Sequence, residues 1–337
     1  MKKILLLCKD DKIKNKISWI FESNNSYYLE SGTKENISKY DIIYCPDDMF
    51  NIEKYKDKKF VFGPFLDFFP PKIVSSFTSL KNCIVLHEFN WKFDFWKNLG
   101  IHNHIPMKCI QFPIDPLVFD TVEHKNEDYF VYFNKRKEGD LHYLKSFMSS
   151  RKISNYKVFY EEDENFFNYA KKCKMGIILT SIHTNVITKL LFCNVPLLVW
   201  NMRNMSDDHS YQYPPIKVNN IEIWNACCGE SILDCTELGG KFDMMLKKYD
   251  TYSPKDYIFY NVNKNKFIEN FTNIEDSLII EKCIKEESVE KKEDIVIQPE
   301  LISVLTNKNK NPKDEKNKIE YKTKPKKRSI FSAMFRI

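Results

Sequence analysis

The 337-residue chain reads as α/β, with two parallel-sheet domains followed by a charged tail. Three observations predict this. Short apolar runs of strand length alternate with segments whose apolar residues recur at helical spacing, most legibly from Lys157 to Asn201. Strands that read as unbroken apolar runs belong to parallel sheets covered on both faces. A proline-bearing connection over 113–125 divides the alternation into two stretches of domain size, and the composition changes after about Asn273.

The first domain is expected over 1–120. Lys3–Cys8 is its first strand, and Ile13, Ile17, Ile20 and Phe21 trace one helical face. Tyr27–Leu29, Asp41–Tyr44 and Phe60–Phe62 are further strands, closed by Ser31-Gly32, Cys45-Pro46 and Gly63-Pro64. Gly63 suits a tight turn or a close backbone approach, because it carries no Cβ. Cys83–Leu86 repeats the strand pattern and leads through His87-Glu88 to a helix holding Phe89, Phe93, Phe95 and Trp96. Met107–Phe112 closes the domain at Pro113.

The second domain is expected over 121–272. Tyr129–Phe133 is a strand that passes through the basic turn Asn134-Lys135-Arg136-Lys137 to a helix with Leu141, Leu144 and Phe147. Val158–Tyr160 is the next strand, and Phe166, Phe167, Ala170 and Cys173 lie at helical spacing. Gly176–Leu179 is a buried strand. It meets the helix of Val186, Ile187, Leu190 and Leu191 through the polar loop Ser181–Asn185. Pro196–Trp200 follows as a strand, Cys228-Gly229-Glu230 reads as a buried turn, and helices are expected around Phe242–Tyr249 and Pro254–Phe271. Those after Tyr252 are expected to cross back to the first domain. In parallel sheets ligands bind beyond the carboxyl ends of the strands, where helix starts offer free N–H groups to phosphate. The Ser181–Asn185 loop lies at such a place.

Charge and cysteine usage exclude several classes. The net charge is +6, but residues 306–337 hold eleven Lys or Arg against three acidic residues, so the remainder sums to −2. The basicity belongs to the tail. Residues 273–337 are expected to be largely disordered, because a Lys/Asn/Pro-rich segment buries too little to offset its ordering entropy. Lys322–Arg328, followed by Ile330, Phe331, Met334, Phe335 and Ile337, could touch an anionic membrane surface. A solubilising tail is the plainer reading, and no specific nucleic-acid partner is expected. The ten cysteines form no CxxC pair, which argues against a disulfide framework or a zinc ribbon. No metal and no resident cofactor are expected. The opening MKKILLLC meets charge at Lys9 too soon for a secretory leader, and a cytoplasmic location is expected.

Several motifs together resemble a family of GT-B glycosyltransferases found in large DNA viruses and some microbes. Phe62-Gly63-Pro64 with Phe69-Pro70 is similar to that family's F-G-P-H and nearby F-P. Residues 106–115, PMKCIQFPID, resemble its P-x-K-x-x-x-F-P-V-D, and Tyr132-Phe-Asn-Lys-Arg136 its Y-F-K-x-R. The best match is Cys193–Asn201 with Met205, then Trp224, Cys228-Gly229-Glu230, and Tyr252–Tyr257 against Y-x-P-R-E-Y. The resemblance covers roughly 40–265 and implies two Rossmann-type domains facing a cleft. It also implies glycosyl transfer from a nucleotide sugar to a hydroxyl acceptor, with a retaining outcome. If the chain is viral, the setting is a host cytoplasm.

One departure stands against the matches. The family's E-x7-E element places two carboxylates on the nucleotide sugar. Counting back from Pro196, those positions are Ser181 and Lys189, and the family's glycine is Thr184. A hydrogen bond to a charged acceptor is worth about 1.5–3 kcal/mol, roughly ten- to a hundredfold in affinity. Losing two damages the donor site, and a catalytically inactive binding or scaffold protein is the alternative expectation. The resemblance implies donor contacts from Lys135 and Arg136 to the diphosphate, and from Ser181, His183, Thr184, Asn185 and Lys189 at the helix start. His87 and Glu88, at the carboxyl edge of the first sheet, are the candidates to deprotonate or position an acceptor hydroxyl. Trp91, Trp96, Trp200 and Trp224 are expected to be structural. A dinucleotide-dependent oxidoreductase is disfavoured, since no G-x-G-x-x-G follows an expected strand and the chain has eight glycines.

Overall fold

The computed structural model describes residues 1–22, 24–115, 125–134, 136, 138–180, 185–201 and 221–280. The first half supplies β1 (Lys2–Leu6), β2 (Tyr27–Ser31), β3 (Ile42–Cys45), β4 (Lys59–Phe62), β5 (Cys83–His87) and β6 (Met107–Cys109). They form one sheet in the order β2-β1-β3-β4-β5-β6, every neighbouring pair parallel. Ile4, Leu5 and Leu6 are all buried, as are all four residues of β3. Burial on both faces is why these strands read as runs and not as alternations.

Helix α1 (Asp11–Phe21) starts where the Asp10 carboxylate accepts from the Lys12 and Ile13 N–H groups, a standard N-cap. It buries Ile17, Ile20 and Phe21. Between β2 and β5 the connections are short 3-10 turns at Lys34–Lys39, Glu53–Tyr55 and Lys72–Phe77. Helix α2 (Asn90–Asn98) then packs Trp91, Lys92, Phe95 and Trp96 inward.

The second half supplies β7 (Glu127–Asn134), β8 (Tyr156–Phe159), β9 (Cys173–Thr180), β10 (Leu197–Trp200) and β11 (Gly229–Ile232). Their order is β11-β10-β9-β7-β8, again all parallel. Around this sheet lie α3 (Glu138–Ser150), α4 (Glu164–Ala170), α5 (Asn185–Phe192), α6 (Leu238–Lys248) and α7 (Pro254–Asn261). The two-sheet parallel α/β architecture expected from sequence is what the chain adopts.

Three details differ from expectation. Of Cys228-Gly229-Glu230, only Cys228 stays in a bend, and Gly229-Glu230 begins β11. Gly229 has φ +129° and lies so close to β10 that a Cβ would fall 2.1 Å from the Leu197 carbonyl oxygen. Glycine is required there by both space and φ. Gly229→Ala is expected to destabilise the fold by more than about 2 kcal/mol, read as a drop in the urea midpoint at unchanged slope.

Second, among the described residues the return to the first half is made from α8 (Lys264–Asp276) onward and not by the helix before it. Its Phe267, Phe271, Ile274 and the following Leu278 lie at spacings of four, three and four, and join the core of Ile4, Leu6, Ile42 and Tyr44. Helix α7 stays on the second sheet, with Ile258 and Val262 in the core beneath α5. A continuous second domain over 121–272 thus includes the beginning of a helix that completes the first core.

Third, ordered chain continues past 273, since α8 runs to Asp276 and the Ile279 N–H donates to the Lys81 carbonyl at 3.1 Å. Residues 281–337, with the basic run and the apolar terminus, lie outside the described residues. Among the described residues no helix is long and apolar enough to cross a membrane.

Candidate functional site

At the carboxyl end of the first sheet, β5 finishes at His87 and passes to Glu88. Glu88 is half-buried, and burial raises its carboxyl above the ordinary range. Opposing that rise are the Lys16 charge, a hydrogen bond with the Asn185 side chain, and the charges of Lys92 and Lys189. Asn185 opens α5 and Lys189 lies one turn along it, so this group joins residues from both halves of the chain. Three ammonium groups around one carboxylate favour an anionic visitor over a neutral one.

Each lysine is held differently. Lys16 projects from α1 with Nζ 4.4 Å from the centroid of Phe112 and 5.3 Å from that of Phe65, a cation–π arrangement. Burial lowers its pKa, Glu88 opposes the fall, and Lys189 adds to it. Lys92 is 5% exposed and donates to the Leu66 carbonyl oxygen. Its pKa is lowered to about 8 by burial, against the pull of Glu88 and Asp67. Lys189 pairs with Glu162 at 3.4 Å and lies over the Phe167 ring. Burial raises the Glu162 carboxyl, and Lys189 holds it back.

His87 has a different environment from its neighbour. Its side chain is fully buried, with the ring edge-on to Trp96 at 4.8 Å and to Phe93 at 6.1 Å. Burial, reinforced by the Lys92 charge, lowers its pKa to about 3, so the imidazole is neutral at physiological pH. Neither ring nitrogen has a hydrogen-bond partner among the described residues. An acceptor hydroxyl would have to displace α2 side chains to reach it.

Gly63 closes β4 at φ +83°, and a Cβ there would fall 2.2 Å from the Leu86 carbonyl oxygen. The backbone of β4 is thus pressed against the end of β5, which sets where Glu88 begins. Arg136 follows β7 and is 5% exposed. Its Nε donates to the Asp140 carboxylate, an Nη donates to the Trp200 carbonyl oxygen, and the guanidinium lies 5.2 Å over the Trp200 ring. Burial lowers its pKa, with Asp140 pulling the other way.

Of the expected site residues, the structure therefore brings together Glu88, Asn185 and Lys189. It sets His87 behind them in the core and engages Arg136 with Asp140 and Trp200. Lys135, Ser181, His183 and Thr184 lie outside the described residues. Sequence reasoning missed Lys16, Lys92 and Glu162. A signal existed for two of them: Lys16 is three residues from Ile13 and four from Ile20, and Lys92 four from Trp96, so each lies on an apolar helical face.

No protein-family model matches the sequence, and the search of curated proteins gives no match. Solved structures are similar in outline. One is Anabaena HepE, solved in complex with UDP and glucose, at 9% identity over 82% of this chain and 100% of that one, TM-score 0.47. Another is the lipopolysaccharide outer core galactosyltransferase WaaB, at 10% identity over 80% and 98%, TM-score 0.47. A third is the pneumococcal O-GlcNAc transferase GtfA, solved with UDP and GlcNAc, at 7% identity over 70% and 56%, TM-score 0.42.

Proposed function

We propose that the chain is a GT-B-type glycosyltransferase, moving a sugar from a nucleotide-sugar donor to a hydroxyl acceptor at the Glu88 cluster. The observation that carries this is the meeting of Glu88, after β5 of the first half, with Asn185 and Lys189, on α5 of the second. A carboxylate whose pKa is raised by burial is a better general base than a fully solvated one. Lysines beside it suit the charge that develops on a departing diphosphate.

In the proposed reaction Glu88 takes the proton of the acceptor hydroxyl as its oxygen bonds to the anomeric carbon. The bond from that carbon to the donor phosphate breaks, and the nucleoside diphosphate leaves with the electron pair. Lys16, Lys92 and Lys189, whose charges act on Glu88, are the cations that would meet that charge. Arg136, if it contributes to the diphosphate, must exchange its Trp200 contact for a phosphate oxygen. Lys135, Ser181, His183 and Thr184 are carried as donor-side positions on the sequence resemblance alone.

A second reading has an observation of its own. Lys189 is already paired with Glu162, and Arg136 with Asp140. Cations neutralised within the protein fit a relative that keeps the fold and binds without turnover. Calorimetric titration with UDP, GDP and their common sugar nucleotides tests the enzyme reading directly. A saturable affinity in the micromolar range, weakened about tenfold or more by Arg136→Ala, with release of free nucleotide when donor is supplied, is the expected result. A well-folded sample that binds none of them at millimolar concentration leaves the binding-protein reading standing.

A further inference from the structure

Glu222 belongs to the second half. Its neighbours Ile221, Ile223 and Trp224 pack on the second core, and the Trp224 carbonyl accepts from the Tyr257 hydroxyl at 3.2 Å. Glu222 itself reaches the other way. Its two carboxylate oxygens accept from the backbone N–H groups of Asn90 at 2.7 Å and Trp91 at 3.1 Å. These open α2 of the first half, whose N-cap residue, Phe89, provides no side-chain cap. A carboxylate of one half thereby caps a helix of the other, two residues beyond Glu88.

We propose that Glu222 is a proton-controlled clasp between the two halves of the molecule. Among the described residues, the charges of Asp94 on α2 and Glu88 after β5 act on it, and it acts in turn on the Cys109 thiol on β6. Two N–H donors favour the carboxylate, while burial and the neighbouring acids oppose it. Burial outweighs the donors: with the clasp shut the pKa is about 7, against the ordinary 4.5 once the side chain reaches water.

The shut form therefore binds the proton more tightly. Its advantage is complete below about 4.5 and is lost as pH rises through about 7. Acid shuts the clasp and base loosens it. Between pH 5.5 and 8.5 the ratio of shut to open molecules should fall roughly thirtyfold by this linkage. Glu88, whose carboxyl is raised in the same direction beside Asn185, adds to the trend with the same sign.

The test is an interhalf distance in the full chain, from fluorophores placed by non-canonical residues at Glu53 and Lys145. Both sites are exposed, one on each half. In the unmodified chain energy transfer should fall between pH 5.5 and 8.5, with a midpoint near 7. Glu222→Gln, which cannot titrate and keeps one acceptor oxygen for one of the two N–H groups, should lose most of the change in distance between the two pH values. Glu222→Ala should hold the longer distance at both. A distance that does not change with pH, or a Gln variant that still titrates with the same midpoint, overturns the proposal. Circular dichroism of each variant separates opening from unfolding, so a poorly folded Ala variant leaves the Gln comparison decisive.

Discussion

Glu275→Ala is expected to cost about 3 kcal/mol of stability, the low end of what breaking a buried ion pair costs. Glu275 is fully buried near the end of α8, where it accepts from Lys59 Nζ at 2.8 Å and from Lys2 Nζ. The Tyr27 hydroxyl stands 3.4 Å from the same carboxylate. Removing the carboxylate leaves Lys59, 20% exposed, without its charge partner. Lys2 fares better, since it is 46% exposed and keeps Asp276 at 2.8 Å. That asymmetry is why the low end applies. The anchor also secures the apolar face of α8, so its loss lets Phe271 and Ile274 part from β1 and β3. At roughly 2–4 °C per kcal/mol for a body of this size, the melting temperature should drop by about 6–12 °C. A drop under about 2 °C would mean that apolar packing alone seats α8.

The ion pair illustrates what the sequence could and could not disclose. The periodicity of Phe267, Phe271 and Ile274 marks α8 as amphipathic, but an apolar stripe does not state which sheet it covers. The strands of the first half were legible because burial on both faces compresses them into unbroken runs such as Ile42–Cys45. Strand β11 was hidden for the opposite reason. Its first residue is Gly229, which sequence reading assigns to turns, whereas here glycine is demanded by the closeness of β10. At the candidate site, position singled out Glu88, since a polar residue directly after a buried strand lies at the carboxyl edge of a sheet. Lys189 was legible only through the resemblance. Glu222 had no local signal, because its partners are backbone groups more than a hundred residues away, and long-range pairing leaves no periodicity to read.

Glu88→Gln should separate the two functional readings while keeping the shape of the site. Glutamine can still pair with the Asn185 side chain, but it cannot take a proton, and it leaves Lys16, Lys92 and Lys189 facing one another without the intervening negative charge. If Glu88 is the general base, kcat should fall by about 10²–10⁴, the usual contribution of general-base catalysis. Donor affinity should move the other way, because the carboxylate that repels an incoming diphosphate is gone. The wild-type rate should fall as pH drops through the carboxyl's pKa, which burial holds above the ordinary carboxylate range, and that limb should be missing from the variant. A purely positioning role for Glu88 would raise KM and leave the acid limb in place. Tighter nucleotide binding in the variant, with turnover absent from both proteins, would support a binding protein whose cleft keeps its charge pattern and has lost the chemistry.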